Sequence, residues 1–177
     1  MRGKNALINM PLLTGWAATE KYPSRFYEGV ADEVWSGVTS VNYAGGTGSK
    51  NDPYIIETAE QLFKLVNDIS TAGKFYKITK DIKLNDTSVS DWKATAKQWV
   101  STATFAGTLN GDGHTISGLY YNGGESRVGL FRYAKDAEIK RIVLDNAYLY
   151  STDYGTGAFV GMASSGTVKI SECYATE

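Results

Sequence analysis

His114 is the single histidine of the chain, and it directly follows two turn-forming pairs, Asn110-Gly111 and Asp112-Gly113. An imidazole beside a carboxylate could move protons, and Asn110, Asp112 and a backbone carbonyl could approach a Ca²⁺ ion. Neither chemistry is well supplied. A calcium loop needs more than one firmly placed carboxylate. One histidine cannot build a His-x-x-x-His zinc site, and no G-x-S-x-G-like element offers a nucleophile. The paired carboxylates of polysaccharide hydrolysis are also missing as a pattern: Asp136, Glu138 and Asp145 fall on different faces. The alternative is a corner of β-structure in which His114 only forms hydrogen bonds. Phe105, Gly107 and Leu109 would alternate inward, Asn110 to Gly113 would turn, and Ile116 and Leu119 would re-enter the core. An antiparallel hairpin across Asn110–Gly113 competes locally. The expectation is a protein with no catalytic residue, no metal ligand and no cofactor.

Two groups of aromatic residues suggest binding instead. Tyr120, Tyr121, Tyr148, Tyr150 and Tyr154 gather in two neighbouring stretches, and tyrosine offers a stacking face with a hydroxyl, as a glycan or receptor surface requires. Alternating tyrosines are equally ordinary on the outer face of a strand. Trp16, Tyr22, Phe26 and Tyr27 lie among small and polar residues interrupted by Pro11 and Pro23. That segment has too few apolar residues for a core, so residues 1–34 are expected to pack on other subunits as an attachment arm. A basic start, Met1-Arg-Gly-Lys4, precedes an apolar stretch as in a signal peptide, but Asn9, Pro11, Thr14 and Gly15 interrupt it.

Composition narrows the classes. With 18 Lys+Arg against 19 Asp+Glu the net charge is -1, which gives no electrostatic case for nucleic acid or an anionic membrane. Cys173 is the lone cysteine, so no internal disulfide forms. No apolar run approaches the roughly 20 residues of a membrane span.

The elements that would position these residues are legible in part. Asn51-Asp52-Pro53 is a turn and Tyr54-Ile55-Ile56 a short strand. Thr58 and Gln61 form a capping box, with Leu62, Leu65, Val66 and Ile69 following at helical spacing. The pattern predicts a helix of about four turns over 58–72, ended by Gly73. Beyond it, FYKITKDIKL alternates with Phe75, Ile78, Ile82 and Leu84 apolar, and short apolar groups punctuated by Gly, Asn, Asp and Ser continue to the last residue. Ile-x-x-apolar recurs at Ile116–Leu119, Ile139–Ile142 and Ile170–Cys173, 23 and 31 residues apart, and Phe131 aligns with Val160 at 29. A unit of 23–31 residues with two or three short strands fits one coil of a parallel β-helix of three to four coils. Ile116, Ile139 and Ile170 would then form one inward ladder, and Leu119, Ile142 and Cys173 a second. The expected fold is mainly β, with the helix as an N-terminal cap, an arm over residues 1–40 and the β-helix over 41–177.

Several runs also carry a resemblance. Ala44–Tyr54, Thr58–Leu62, Asp81–Leu84, Phe105–Leu119 and Val128–Phe131 together resemble the GLUG-motif type of bacterial surface protein, found in adhesins and in the non-catalytic repeats of zinc IgA proteases. Gly157-Ala-Phe-Val-Gly161 is similar to the GLUG element itself. The resemblance spans about Trp35 to Glu177 and leaves residues 1–34 unmatched. It implies a right-handed β-helix behind a capping helix, used on cell surfaces, and names no ligand. Combined with the arm and the interrupted leader, it makes a bacteriophage virion appendage the first expectation: a tail or head fibre or spike, anchored through residues 1–34, with the β-helix reaching toward the host. A secreted bacterial adhesin for glycan or host protein is the alternative, and a polysaccharide-degrading enzyme a remote one. Location would be the virion or the cell exterior. Other subunits are the expected partners, with a glycan or receptor beyond them, and either further chain beyond residue 177 or a partner would cover the last coil.

Overall fold

Nine strand pairings link the strands of the computed structural model, which describes residues 33–177, and all nine are parallel. One sheet stacks β1 (Tyr54–Ile56), β2 (Phe75–Ile78), β5 (Thr108–Asn110), β8 (Phe131–Lys140) and β11 (Val160–Ser171), with β4 (Thr104–Phe105) also pairing to β8. A second stacks β3 (Ile82–Lys83), β6 (Thr115–Ser117), β9 (Val143–Asp145) and β12 (Tyr174–Ala175). A third pairs β7 (Tyr120–Gly123) with β10 (Tyr148–Ser151). Successive strands of the chain visit the sheets in turn, so the described region is a parallel β-helix of about three turns with a single short α-helix. This is the expected fold class.

The stacking differs from the expected ladders in one segment. Tyr76, Leu109, Ile139 and Ile170 lie in register, 33, 30 and 31 residues apart. Ile82, Ile116, Leu144 and Ala175 form the neighbouring ladder, at 34, 28 and 31. Ile139 does stack on Ile170, but Ile116 belongs to the second ladder, not theirs. Leu119 likewise sits beside the β7–β10 pair, where Tyr148 donates to its carbonyl, and not under Ile142. The motif misleads because Ile116 stands inward on the second side of its coil, whereas Ile139 and Ile170 stand inward on the first. A second correction concerns burial: Ile170 is 45% exposed and Cys173 half-buried, since both lie in the last described coil. Ile116, Leu119, Ile139 and Ile142 are fully buried, as expected. In β2 the inward residues are Tyr76 and Ile78, with Phe75 half-exposed.

Left-handed residues stand at the corners between sides. Arg141 and Glu172 (φ 58° and 53°) stack at one corner, Gly118 and Asn146 (φ 72° and 52°) at the next. A non-glycine residue in this region carries strain, which the surrounding coil must hold in place. Gly111 has another reason to be glycine: a Cβ there would meet the Arg141 carbonyl of the coil below.

The helix, α1 (Ala59–Val66), is shorter than its apolar spacing predicts. Its start is as read: Thr58 accepts the Gln61 N–H, while the Gln61 amide oxygen takes the Glu57 N–H at 2.7 Å. It ends at Asn67, whose Nδ2 donates to the Phe63 carbonyl and whose Oδ1 accepts the Thr102 N–H. Asp68 then accepts Ser70 N–H and O–H, a local turn that competes with the helix and leaves Ile69 92% exposed. Leu62, Leu65 and Val66 enter the core, and Phe63 closes an aromatic cluster with Trp35 and Trp99. The excursion between β3 and β4 carries a 3₁₀ turn, Trp92–Ala94, and returns to the stack where Trp99 N–H donates to Tyr120 and the Gln98 side chain exchanges two hydrogen bonds with the Asn122 backbone.

Candidate binding surfaces

The Asn110–His114 segment is the corner between β5 and β6. Asn110 Oδ1 accepts the Asp112 N–H, and Gly111 and Gly113 donate to the carbonyls of Lys140 and Arg141. Asp112 lies 2.9 Å from Lys77 Nζ and 3.1 Å from Arg141, the Lys77 hydrogen bond chiefly holding its carboxyl below the usual range. His114 Nδ1 is 3.1 Å from Asp81 Oδ1, which also accepts the Thr115 N–H at 2.9 Å. These contacts tie one coil to the next.

The five tyrosines named from sequence do not share one surface. Tyr120 and Tyr121 are buried, the first beneath the excursion and the second with its hydroxyl accepting the Glu125 N–H. The β7–β10 register places Tyr148 over Tyr120, with ring centroids 5.6 Å apart and planes at 19°. Trp92 meets Tyr120 edge-on, and Lys93 Nζ stands 4.2 Å above the Tyr148 ring. Asn146 and Glu177 help to enclose a cleft of about 170 Å³ there. Tyr150 and Tyr154 are exposed, with Arg127 against the Tyr154 ring, so the strictly outward part of the set is this pair. Trp16, Tyr22, Phe26 and Tyr27, the arm residues, lie outside the described residues.

A larger cleft, about 330 Å³, was not read from the sequence. Its walls are the loop before β1, the exposed side of α1 and the start of β2. Tyr43 stacks on Tyr54 with centroids 4.7 Å apart, and Tyr76 lies edge-on to Tyr43 beneath them. Lys64 Nζ stands 5.3 Å from the Tyr43 ring centre and Lys74 Nζ 5.8 Å from that of Tyr54. Tyr43 reaches Asp68 only at 3.5 Å. The fully buried Tyr76 hydroxyl lies near that of Tyr43 without a hydrogen-bond partner among the described residues. Burial, reinforced by each other and by Asp68, pushes Tyr43 well up, and burial followed by the Asp68 charge does the same to Tyr76. Partial burial works against ionised Asp68, but the Ser70 hydrogen bonds, then Lys74 and Lys64, hold its carboxyl below the ordinary range. Neither lysine has a carboxylate in ion-pair contact among the described residues. The signal was faint because these groups are spread from 43 to 76 with no period.

Two curated relatives share sequence with this chain. Over 87 residues it is 36% identical to halomucin of Haloquadratum walsbyi, a match covering 49% of this chain and 1% of that protein. Over 124 residues it is 30% identical to a protein of Evansella cellulosilytica described as a Gly-rich membrane protein, covering 67% of this chain and 14% of the relative. No family model and no solved structure matches the chain. Among the described residues, no helix is long and apolar enough to cross a membrane.

Proposed function

We propose that this chain is a non-catalytic attachment module displayed on the surface of a cell, built of GLUG-type β-helical coils. The observation that carries the reading is the parallel stack itself: short strands held in register at 28–34 residues per coil present outward side chains as fixed rows. Such surfaces suit adhesion because their contacts are ordered before any partner arrives. The carboxylates considered for catalysis are engaged in other contacts. Glu138 pairs with Lys140 and Lys169, Asp136 accepts the Thr167 N–H, and Asp145 accepts from Asn146 and Thr176. One relative's name is built on mucin and the other's refers to a membrane, which favours a cellular surface over a virion appendage. The virion reading rests on the arm, whose residues 1–32 lie outside the described region.

The test is immunogold labelling of intact source cells with antibody raised to the full chain. Label on the envelope, removed by external protease, is expected. Label confined to the cytosol, or to phage particles, would overturn the proposal.

A further inference from the structure

We infer that the cleft bounded by Tyr43, Tyr54, Lys64, Asp68 and Lys74 binds an acidic saccharide, a sugar unit bearing a carboxylate. The inference deepens the attachment reading and rests on it.

Its volume of about 330 Å³ falls at the lower end of small-molecule sites, which run from about 300 to 1,000 Å³. Two stacked tyrosine rings form an apolar wall against which the C–H side of a sugar ring can pack. The charges select within that class. Two ammonium groups face one carboxylate, so the cleft carries an excess of positive charge that an anionic group on the ligand would balance. Asp68 Oδ2, whose one contact is the long one to Tyr43, remains as an acceptor for sugar hydroxyls, and the Tyr43 hydroxyl beside it is underused. The Tyr43–Asp68 bond is long at 3.5 Å, and the buried Tyr76 hydroxyl behind them has no well-formed hydrogen bond among the described residues. Protein interiors rarely leave a buried hydroxyl in this condition, and a ligand hydroxyl that draws Tyr43 closer would complete the network. A neutral apolar ligand would leave the lysines unanswered. A doubly charged group on the sugar unit in the cleft, such as a phosphate monoester, would be repelled by Asp68.

The experiment is calorimetric titration of the full chain with tetragalacturonate, its neutral methyl ester, and a sulfated neutral tetrasaccharide. Tetragalacturonate should bind, more weakly as salt rises, and the methyl ester at least about tenfold less tightly, the loss of one charge-assisted hydrogen bond. The Lys64→Gln/Lys74→Gln variant should lose about tenfold or more in affinity while keeping the circular dichroism spectrum and melting temperature of the parent. Lys93→Gln, in the other cleft, should bind as the parent does. Equal binding of the methyl ester, preference for the sulfated probe, loss through Lys93→Gln alone, or no binding of tetragalacturonate would each overturn the inference. None of those outcomes alters the surface labelling, so the attachment reading stands or falls separately.

Discussion

Ile139 and Ile170 hold the same inward position one coil apart, yet the first is fully buried and the second 45% exposed. Truncation should separate them. Ile139→Ala removes a side chain packed between Leu109 and Ile170 and should cost about 2–5 kcal/mol. Ile170→Ala should cost about 1 kcal/mol or less, because much of its surface already meets water. Chemical denaturation of the two variants checks this, and equal losses would mean that Ile170 is covered in solution. The same pair shows what a sequence can and cannot disclose about a residue. That Ile139 and Ile170 stack was readable from their 31-residue spacing, which matches a whole coil. The 23-residue step back to Ile116 was misleading, because it falls short of a whole coil and joins the second side of one coil to the first side of the next. His114 was legible as a corner residue from the glycines around it, but Asp81, its partner 33 positions earlier, was not.

At the scale of the element, α1 has a start written in its sequence and an end decided by tertiary contact. Thr58 and Gln61 announce the N-terminus through local hydrogen bonds. The C-terminus depends on Asn67, which ties the helix to Thr102 in the excursion, 35 residues away. Asn67→Ala should therefore destabilise more than Thr58→Ala. About 1–2 kcal/mol is expected for the loss of several hydrogen bonds at Asn67, and about 0.5–1 kcal/mol for the 3.4 Å cap at Thr58. Thermal melts of both variants decide the order. The same dependence on distant contacts hid the acidic-saccharide cleft. Lys64 reads as an exposed helix residue, Asp68 and Lys74 as loop charges, and only the turn after Asn67 brings them around Tyr43 and Tyr54.

For the molecule as a whole, the carboxylates set the response to acid. Ser70 and the nearby lysines hold Asp68 low, Ser36 does so for Glu60, and both shifts prevail over partial burial. Ser88 lowers Asp86, and Lys77 lowers Asp112. In each case the unfolded chain takes up the proton first, so the stabilisation is present above the ordinary carboxylate range and lost as pH falls through it. The melting temperature should be nearly level between about pH 5 and pH 8 and decline below about pH 4. A melting temperature that rises on acidification would contradict these environments. The coil repeat has a mechanical consequence too. A coil of about 30 residues holds about 100 Å of chain at about 3.4 Å per residue, while stacking advances the axis by only about 4.8 Å. Tension on the chain therefore cannot stretch the stack smoothly. It detaches whole coils one after another, each paying out about 10 nm of slack, so a load shared by many such modules is absorbed in steps as a yielding tether.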